Sequence, residues 1–319
     1  MRRPLPCLLA ALIALLSAAA TPASAQIAKL PAEVRDKIAA MGAKLDGELV
    51  RSTMAVFAPL AEATPAPAGV TVSKDVSYGP DPLNTIDLYR PMGKQDMPII
   101  VFVHGGAFVR GDKNGNGPIY GNVARWFARH GILAVNANYR LAPKSPWPAG
   151  GEDVGKIVAW LRAHGAAYGG APGRIFVIGH SAGATHVASY ILDAALQPKE
   201  GPGVAGAVLI SGSYRVTAET LSPEAKAYFG ADASQFAARS PITHVNESKV
   251  PLMIVTAEYD PVFLATPSLE LAALVCARDG KCPRMAWLKG HNHISEVASF
   301  DTADQALGEE ILDFIASSR

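Results

Sequence analysis

The sequence predicts an α/β domain with a mostly parallel central sheet, helices on both of its faces and a small helical cap or lid. Three observations predict it. Short apolar runs recur along the chain, helical segments separate them, and one run ends in Gly179-His180-Ser181-Ala182-Gly183. The runs at 99–103, 132–137, 175–178, 204–210, 252–257 and 285–288 have the length and unbroken apolar character of strands buried on both faces. Helical spacing covers about 118–130, 151–164, 182–196, 262–278 and 302–317. Alternation of this kind makes a parallel sheet, and right-handed crossovers bring its polar strand ends to one edge.

Each remaining segment has its own reading. Arg2-Arg3, the apolar stretch from Leu8 to Leu16 and Ala23-Ser24-Ala25 match the three parts of a signal peptide, with cleavage after Ala25. The apolar stretch is too short to span a bilayer, so the expectation is an exported protein, periplasmic or secreted, with no integral membrane association. Residues 26–69 form a preface: Val34, Ile38, Met41, Leu45 and Leu49 recur at helical spacing before the linker Thr64-Pro65-Ala66-Pro67-Ala68-Gly69. This preface either packs over the mouth of the site as part of a cap or docks on the outside. Residues 70–319 form the main domain, in which 70–78 and 85–89 read as sheet-edge strands. The stretch 213–249 exceeds a plain crossover and carries helix-like pieces near 223–229 and 232–238, which makes it a candidate lid.

Composition narrows the partners. Of 29 Lys and Arg, the loss of Arg2 and Arg3 leaves 27 against 28 Asp and Glu, a balance that implies neither nucleic acid nor an anionic membrane surface. Cys276 and Cys282 are the cysteines left after residue 25, close in sequence and in an exported context, so a disulfide is expected. Two cysteines alone cannot complete a zinc site. Oligomeric state has no signature in the sequence.

The chemistry starts from Ser181. A strand that turns sharply into a helix needs glycine on both sides of the serine, because the strained turn leaves no room for neighbouring Cβ atoms. A serine hydroxyl needs a base to take its proton, and the base needs a carboxylate to fix its tautomer. The run 252–257 is followed by Glu258-Tyr259-Asp260-Pro261, where Asp260 is the expected acid and Glu258 the lesser candidate. Gly290-His291-Asn292-His293 follows the last run and reads as a loop supplying the base. Charge developing on a carbonyl oxygen needs preorganised donors. The turn His104-Gly105-Gly106-Ala107-Phe108 can offer the amides of Gly105 and Gly106, with Ala107 as a further contributor, beside the amide of Ala182. His104 reads as a brace for that turn, and Arg140 with Asp153 as a structural anchor. His130, His164, His186 and His244 read as packed or capping side chains. Phe108, Trp147, Tyr214 and Phe263 are either pocket lining or core.

These pieces, with Tyr139-Arg140-Leu141-Ala142-Pro143, Asp260-Pro261 and Asn292-His293, resemble the serine esterases of the α/β-hydrolase superfamily, near the hormone-sensitive-lipase-like esterases and the arylformamidase-like hydrolases. The resemblance selects His293 over His291, implies an α/β-hydrolase fold, and implies no metal and no organic cofactor. Ala107 stands where the lipase-like group usually has a third glycine and His180 where that group often has an acidic residue, while Gly111-Asp112-Lys113 resembles the formamidase-like side. The expected function is hydrolysis of a small or short-chain carboxylic ester through an acyl-enzyme on Ser181. The alternatives are an arylformamidase-like amide hydrolase, a feruloyl or aryl esterase, and a binding protein on a hydrolase scaffold.

Overall fold

The computed structural model describes residues 30–62, 68–114 and 119–318. The expected signal peptide lies outside these residues, as does most of the Pro-rich linker. In chain order the elements are α1 (Ala32–Met41), α2 (Gly47–Glu62), β1 (Val70–Ser77), β2 (Thr85–Pro91), β3 (Met97–Val103), α3 (Gly121–Arg129), β4 (Leu133–Ala137) and α4 (Ala149–His164). They continue with β5 (Gly170–His180), α5 (Ala182–Leu192), β6 (Gly206–Ile210), α6 (Pro223–Phe229), α7 (Phe236–Arg239) and β7 (Leu252–Tyr259). The chain closes with α8 (Val262–Asp279), β8 (Arg284–Asn292), α9 (Ser295–Ala298) and α10 (Ala306–Ser317).

The strands form one eight-stranded sheet in the order β1-β2-β4-β3-β5-β6-β7-β8. β1 pairs antiparallel with β2, and β2 with β4; every later pairing is parallel. Successive residues of the parallel strands alternate between the two faces, as the period of a strand requires. Ile99, Val101, Val103, Val177, Leu209 and Ile254 join α4, α5 and α8 in one core. Ile100, Phe102, Phe176, Ile178, Val208 and Val255 point the other way, against α1, α2, α3 and α10. Every residue of α5 is buried, including the polar Thr185, His186 and Ser189, so the helix has no solvent face.

Boundaries differ where strands outrun their apolar runs. β5 begins at Gly170, five residues before the apolar run at 175–178, and passes through Pro172-Gly173. β8 continues to Asn292, so Gly290, His291 and Asn292 belong to the strand and the turn comes at His293. Cys276, near the end of α8, is bonded to Cys282 just before β8, with Cα atoms 4.0 Å apart.

The preface packs on the face that carries α3 and α10. Phe57 of α2 and Ile38 of α1 are fully buried there. Thr53 Oγ1 of α2 accepts a 2.9 Å hydrogen bond from the side-chain Nδ2 of Asn292, so the helix is tied to the residue before His293. Truncating Phe57 to Ala removes a buried ring and leaves a cavity, at a cost of about 3–5 kcal/mol. Thermal denaturation of Phe57→Ala is expected to show a large drop in Tm, and limited proteolysis should cut first near α2.

Candidate active site

Ser181 sits between β5 and α5 with φ 56° and ψ −122°, a conformation costing a non-glycine residue on the order of 1–3 kcal/mol. The surroundings impose it. A Cβ on Gly179 would lie 2.4 Å from the Gly183 carbonyl oxygen, and a Cβ on Gly183 would lie 2.1 Å from that of Val103. Glycine at both positions therefore lets β5, α5 and the end of β3 meet, and the turn lifts the Ser181 side chain above the carboxyl edge of the sheet.

The same edge supplies the partners. Ser181 Oγ–H donates to His293 Nε2 at 2.9 Å, and His293 Nδ1–H donates to Asp260 Oδ1 at 2.9 Å. Asp260 Oδ2 accepts from Ser211 Oγ at 2.5 Å, Thr256 Oγ1 at 2.9 Å and the Ala257 amide at 2.8 Å. Burial acts to raise the Asp260 pKa, but the bond and charge of His293, then Ser211 and the Ala257 amide, outweigh it and hold the carboxyl below its ordinary value. The alternatives are engaged elsewhere. Glu258 accepts the Gly290 amide at 2.7 Å, and His291 reaches Asp304 at 3.0 Å and Ser295 at 3.2 Å.

The turn after β3 carries the expected donors. Gly105 lies against the Tyr120 hydroxyl, which is 3.1 Å from where a Cβ on this glycine would stand. Among the described residues, no protein acceptor takes the amides of Gly106, Ala107 or Ala182. Gly106 adopts φ 144°, and a Cβ there would overlap the Arg110 carbonyl at 1.8 Å. Ala107 and Phe108 follow with φ 49° and 69°. His104 braces this turn: its Nδ1–H donates to the Gly105 carbonyl at 2.6 Å, its own carbonyl accepts Tyr139 Oη–H at 2.9 Å, and the two rings stack. Arg140 anchors the neighbouring loop, donating through its amide and Nε to Asp153 at 2.9 Å.

Two cavities open at Ser181. One, of about 360 Å³, runs past Gly105, Gly106, Tyr120, His293 and Ile294. The other, of about 410 Å³, is walled by Phe108, Val216, Leu221, Phe229, Phe263 and Leu264. Leu45, Asp46 and Gly47, at the joint between α1 and α2, line both cavities and roof the serine. Phe108 stacks on Tyr228 at 4.9 Å, and Arg110 meets Glu224 at 3.4 Å, so α6 is fastened to the turn after β3. Phe108 and Phe263 thus line the site. Tyr214 is buried behind it, and Trp147 packs beneath Arg239.

The sequence reading missed Ser211, Glu296, Tyr120 and the role of His180. Ser211, at φ 48°, follows β6 as Ser181 follows β5, a signal the strand pattern contained. His180, where an acid was expected from the resemblance, donates Nε2–H to the His293 carbonyl at 2.8 Å and so fixes the loop of the base. Ligand atoms of His180, His293 and Glu296 lie within 4.8 Å of one another. The nitrogens that face this group already serve the His293 carbonyl and Asp260, which leaves the cluster poorly suited to a metal.

A family model described as BD-FAE matches residues 86–198, and one described as the prolyl oligopeptidase family matches residues 148–318. Esterase LipQ of Mycobacterium tuberculosis is 27% identical over 267 residues, covering 76% of this chain and 62% of that protein. A rice protein, probable isoprenylcysteine alpha-carbonyl methylesterase ICMEL1, is 35% identical over 160 residues, covering 50% of this chain and 34% of its own length. The chain therefore spans between a third and two thirds of these relatives. Among solved structures, esterase B of Lactobacillus Rhamnosis has a TM-score of 0.68 at 18% identity, covering 90% of this chain and 96% of that one. The hyperthermophilic esterase of Pyrobaculum calidifontis has a TM-score of 0.66 at 24% identity, covering 91% and 97%.

Buried histidines set an acid limit on the fold. Burial, with smaller contributions from neighbouring charges, drives His180 and His186 down to about 3, against about 6.5 in an unfolded chain. The unfolded chain binds protons that the native state refuses, so stability is lost as pH falls from about 6.5 toward 3. Among the described residues, neither ring nitrogen of His186 has a hydrogen-bond partner, and the ring packs edge-on against Phe108, Tyr139 and Tyr228. His186→Phe is expected to flatten the decline of Tm between pH 7 and pH 4; an unchanged slope would contradict the assignment.

Proposed function

The chain belongs to the prolyl oligopeptidase family and carries an α/β-hydrolase fold, and on that premise we propose that it is a serine hydrolase of carboxylic esters acting through Ser181. The observation that carries this reading is the continuous line of hydrogen bonds from Ser181 Oγ through both nitrogens of His293 to Asp260. The curated relatives cited above are named esterases and agree with it.

In the proposed reaction Ser181 Oγ attacks the acyl carbon while His293 Nε2 takes its proton. Asp260 holds the His293 tautomer and stabilises the imidazolium. The carbonyl oxygen becomes an oxyanion within reach of the Gly106, Ala107 and Ala182 amides, a charge that oriented backbone donors stabilise by a few kcal/mol each. His293 then returns the proton to the leaving alcohol. A water, activated by the same histidine, releases the acid and restores the serine.

The wall of Val216, Leu221, Phe229, Phe263 and Leu264 supports an apolar group on one side of the ester, and the roof at Leu45–Gly47 limits its length. We therefore favour small or short-chain esters. An amide such as an N-formyl aryl amine would use the same atoms, and the family's name keeps that reading as the second one. Export rests on residues 1–25, outside the described residues, and the Cys276–Cys282 bond supports an oxidising compartment.

Ser181→Ala is expected to abolish turnover of p-nitrophenyl butyrate and labelling by a fluorophosphonate, with Tm little changed. Wild-type rates should fall from butyrate to octanoate to palmitate. Equal rates in Ser181→Ala would overturn the mechanism, and a rate that rises with chain length would overturn the substrate class. Asp260→Asn should lower kcat by about a thousandfold or more, because the His293 tautomer is lost.

A further inference from the structure

Glu296 of α9 is completely buried three residues beyond His293, and the reaction proposed above does not use it. Its Oε2 lies 2.9 Å from Ser211 Oγ, which also lies 2.5 Å from Asp260 Oδ2. A hydroxyl has one proton and two lone pairs, so it cannot donate to two carboxylates at once. Asp260 Oδ2 is the anionic acceptor, since it also gathers Thr256 Oγ1–H and the Ala257 amide. Two ionised carboxylates would leave one oxygen pair in close contact with no proton between them.

We propose that Glu296 is a positioning residue that acts as a carboxylic acid: its Oε2–H donates to Ser211 Oγ and thereby commits the Ser211 proton to Asp260. This inference rests on the serine-hydrolase reading. The charged and titratable groups facing Glu296 agree with it. Asp260, after β7, is an anion that opposes a second one. His180, at the end of β5, is neutral; its Nε2 lies 3.2 Å from Glu296 Oε1 but bonds the His293 carbonyl. His293, after β8, places Nδ1 3.8 Å from Oε1, with its proton on Asp260. Tyr214, after β6, is buried and bonds the Gly212 amide through its hydroxyl oxygen. Burial first, and then the charge of Asp260, raise the Glu296 pKa well above the usual carboxylate value, against the smaller effect of Ser211.

The arrangement has a catalytic consequence. The Ser211 bond helps keep Asp260 ionised and its oxygens oriented, which holds His293 toward Ser181. A neutral Glu296 keeps a second negative charge away from His293. Such a charge would overstabilise the imidazolium and slow return of its proton to the leaving group.

The test compares Glu296→Gln, which keeps a donor for Ser211, with Glu296→Leu, which fills the space without one. Glu296→Gln is expected to keep kcat for p-nitrophenyl butyrate within about threefold of wild type and to leave the acid limb of kcat/KM in place. Glu296→Leu should lower kcat roughly tenfold at similar KM, the effect of losing one hydrogen bond that supports a charged group. Loss of activity in Glu296→Gln to the level of Glu296→Leu, with the acid limb moved to lower pH, would mean that Glu296 acts as an anion and would overturn the proposal. So would wild-type kinetics in both variants. A readout independent of turnover is the carboxyl ¹³C resonance missing from Glu296→Gln. In glutamate-labelled wild type it should keep the chemical shift of a neutral acid from pH 5 to pH 8, and titration below pH 6 would overturn the assignment. The folded state holds a proton that the unfolded chain releases above its ordinary glutamate pKa, so stability falls as pH rises. Glu296→Gln should therefore gain more Tm at pH 8 than at pH 5. A wild-type enzyme without esterase activity, or an active Ser181→Ala, would defeat the serine-hydrolase reading while the resonance and Tm still report the state of Glu296.

Discussion

The close approach of β5, α5 and the end of β3 at Gly179 and Gly183 is the constraint on which the site depends. No side chain fits between these backbones, so the chain reverses direction at Ser181 in a conformation an L-residue rarely adopts. The strain is local, and the two apolar layers that pin β5 and α5 hold it in place. A serine on a relaxed turn would have no fixed relation to a histidine carried by a strand three places away in the sheet.

Around that turn the structure solves a problem of buried charge. A carboxylate taken out of water is costly unless donors surround it. Asp260 has four: His293, Ser211, Thr256 and the Ala257 amide. A second carboxyl, Glu296, lies within reach of the same serine hydroxyl. One anion and one acid, joined through Ser211, satisfy the available protons where two anions could not. The same economy explains His180, a neutral ring that uses its single proton on the loop of His293.

The walls of the site come from parts of the chain that carry no motif. The joint between α1 and α2 lies over the serine because Phe57 and Ile38 are buried on the far side of the sheet and Thr53 is bonded to Asn292. The stretch containing α6 and α7 is held by Phe108 stacking on Tyr228 and by Arg110 meeting Glu224. The two cavities at Ser181 are thus defined by side-chain packing between segments far apart in the chain.

The sequence by itself determined the alternation of strands and helices, the order of the strand ends, and Ser181, Asp260 and a histidine of the 290–293 segment as residues that meet at one edge; resemblance to a family selected His293 over His291. Those features are local: apolar periodicity, glycines flanking a serine, and polar residues following strand-like runs. Tertiary structure decided the rest. The strand boundaries of β5 and β8 depend on pairing partners, which carried them past Pro172 and through His291. The Tyr120 hydroxyl, fifteen residues on, was brought against Gly105 of the glycine-rich turn. The meeting of Ser211 with Glu296, 85 residues apart, was fixed by the neighbouring positions of β6, β7 and β8 in the sheet. A hydrogen bond depends on where two atoms stand and which of them holds the proton, and only the folded chain settles both.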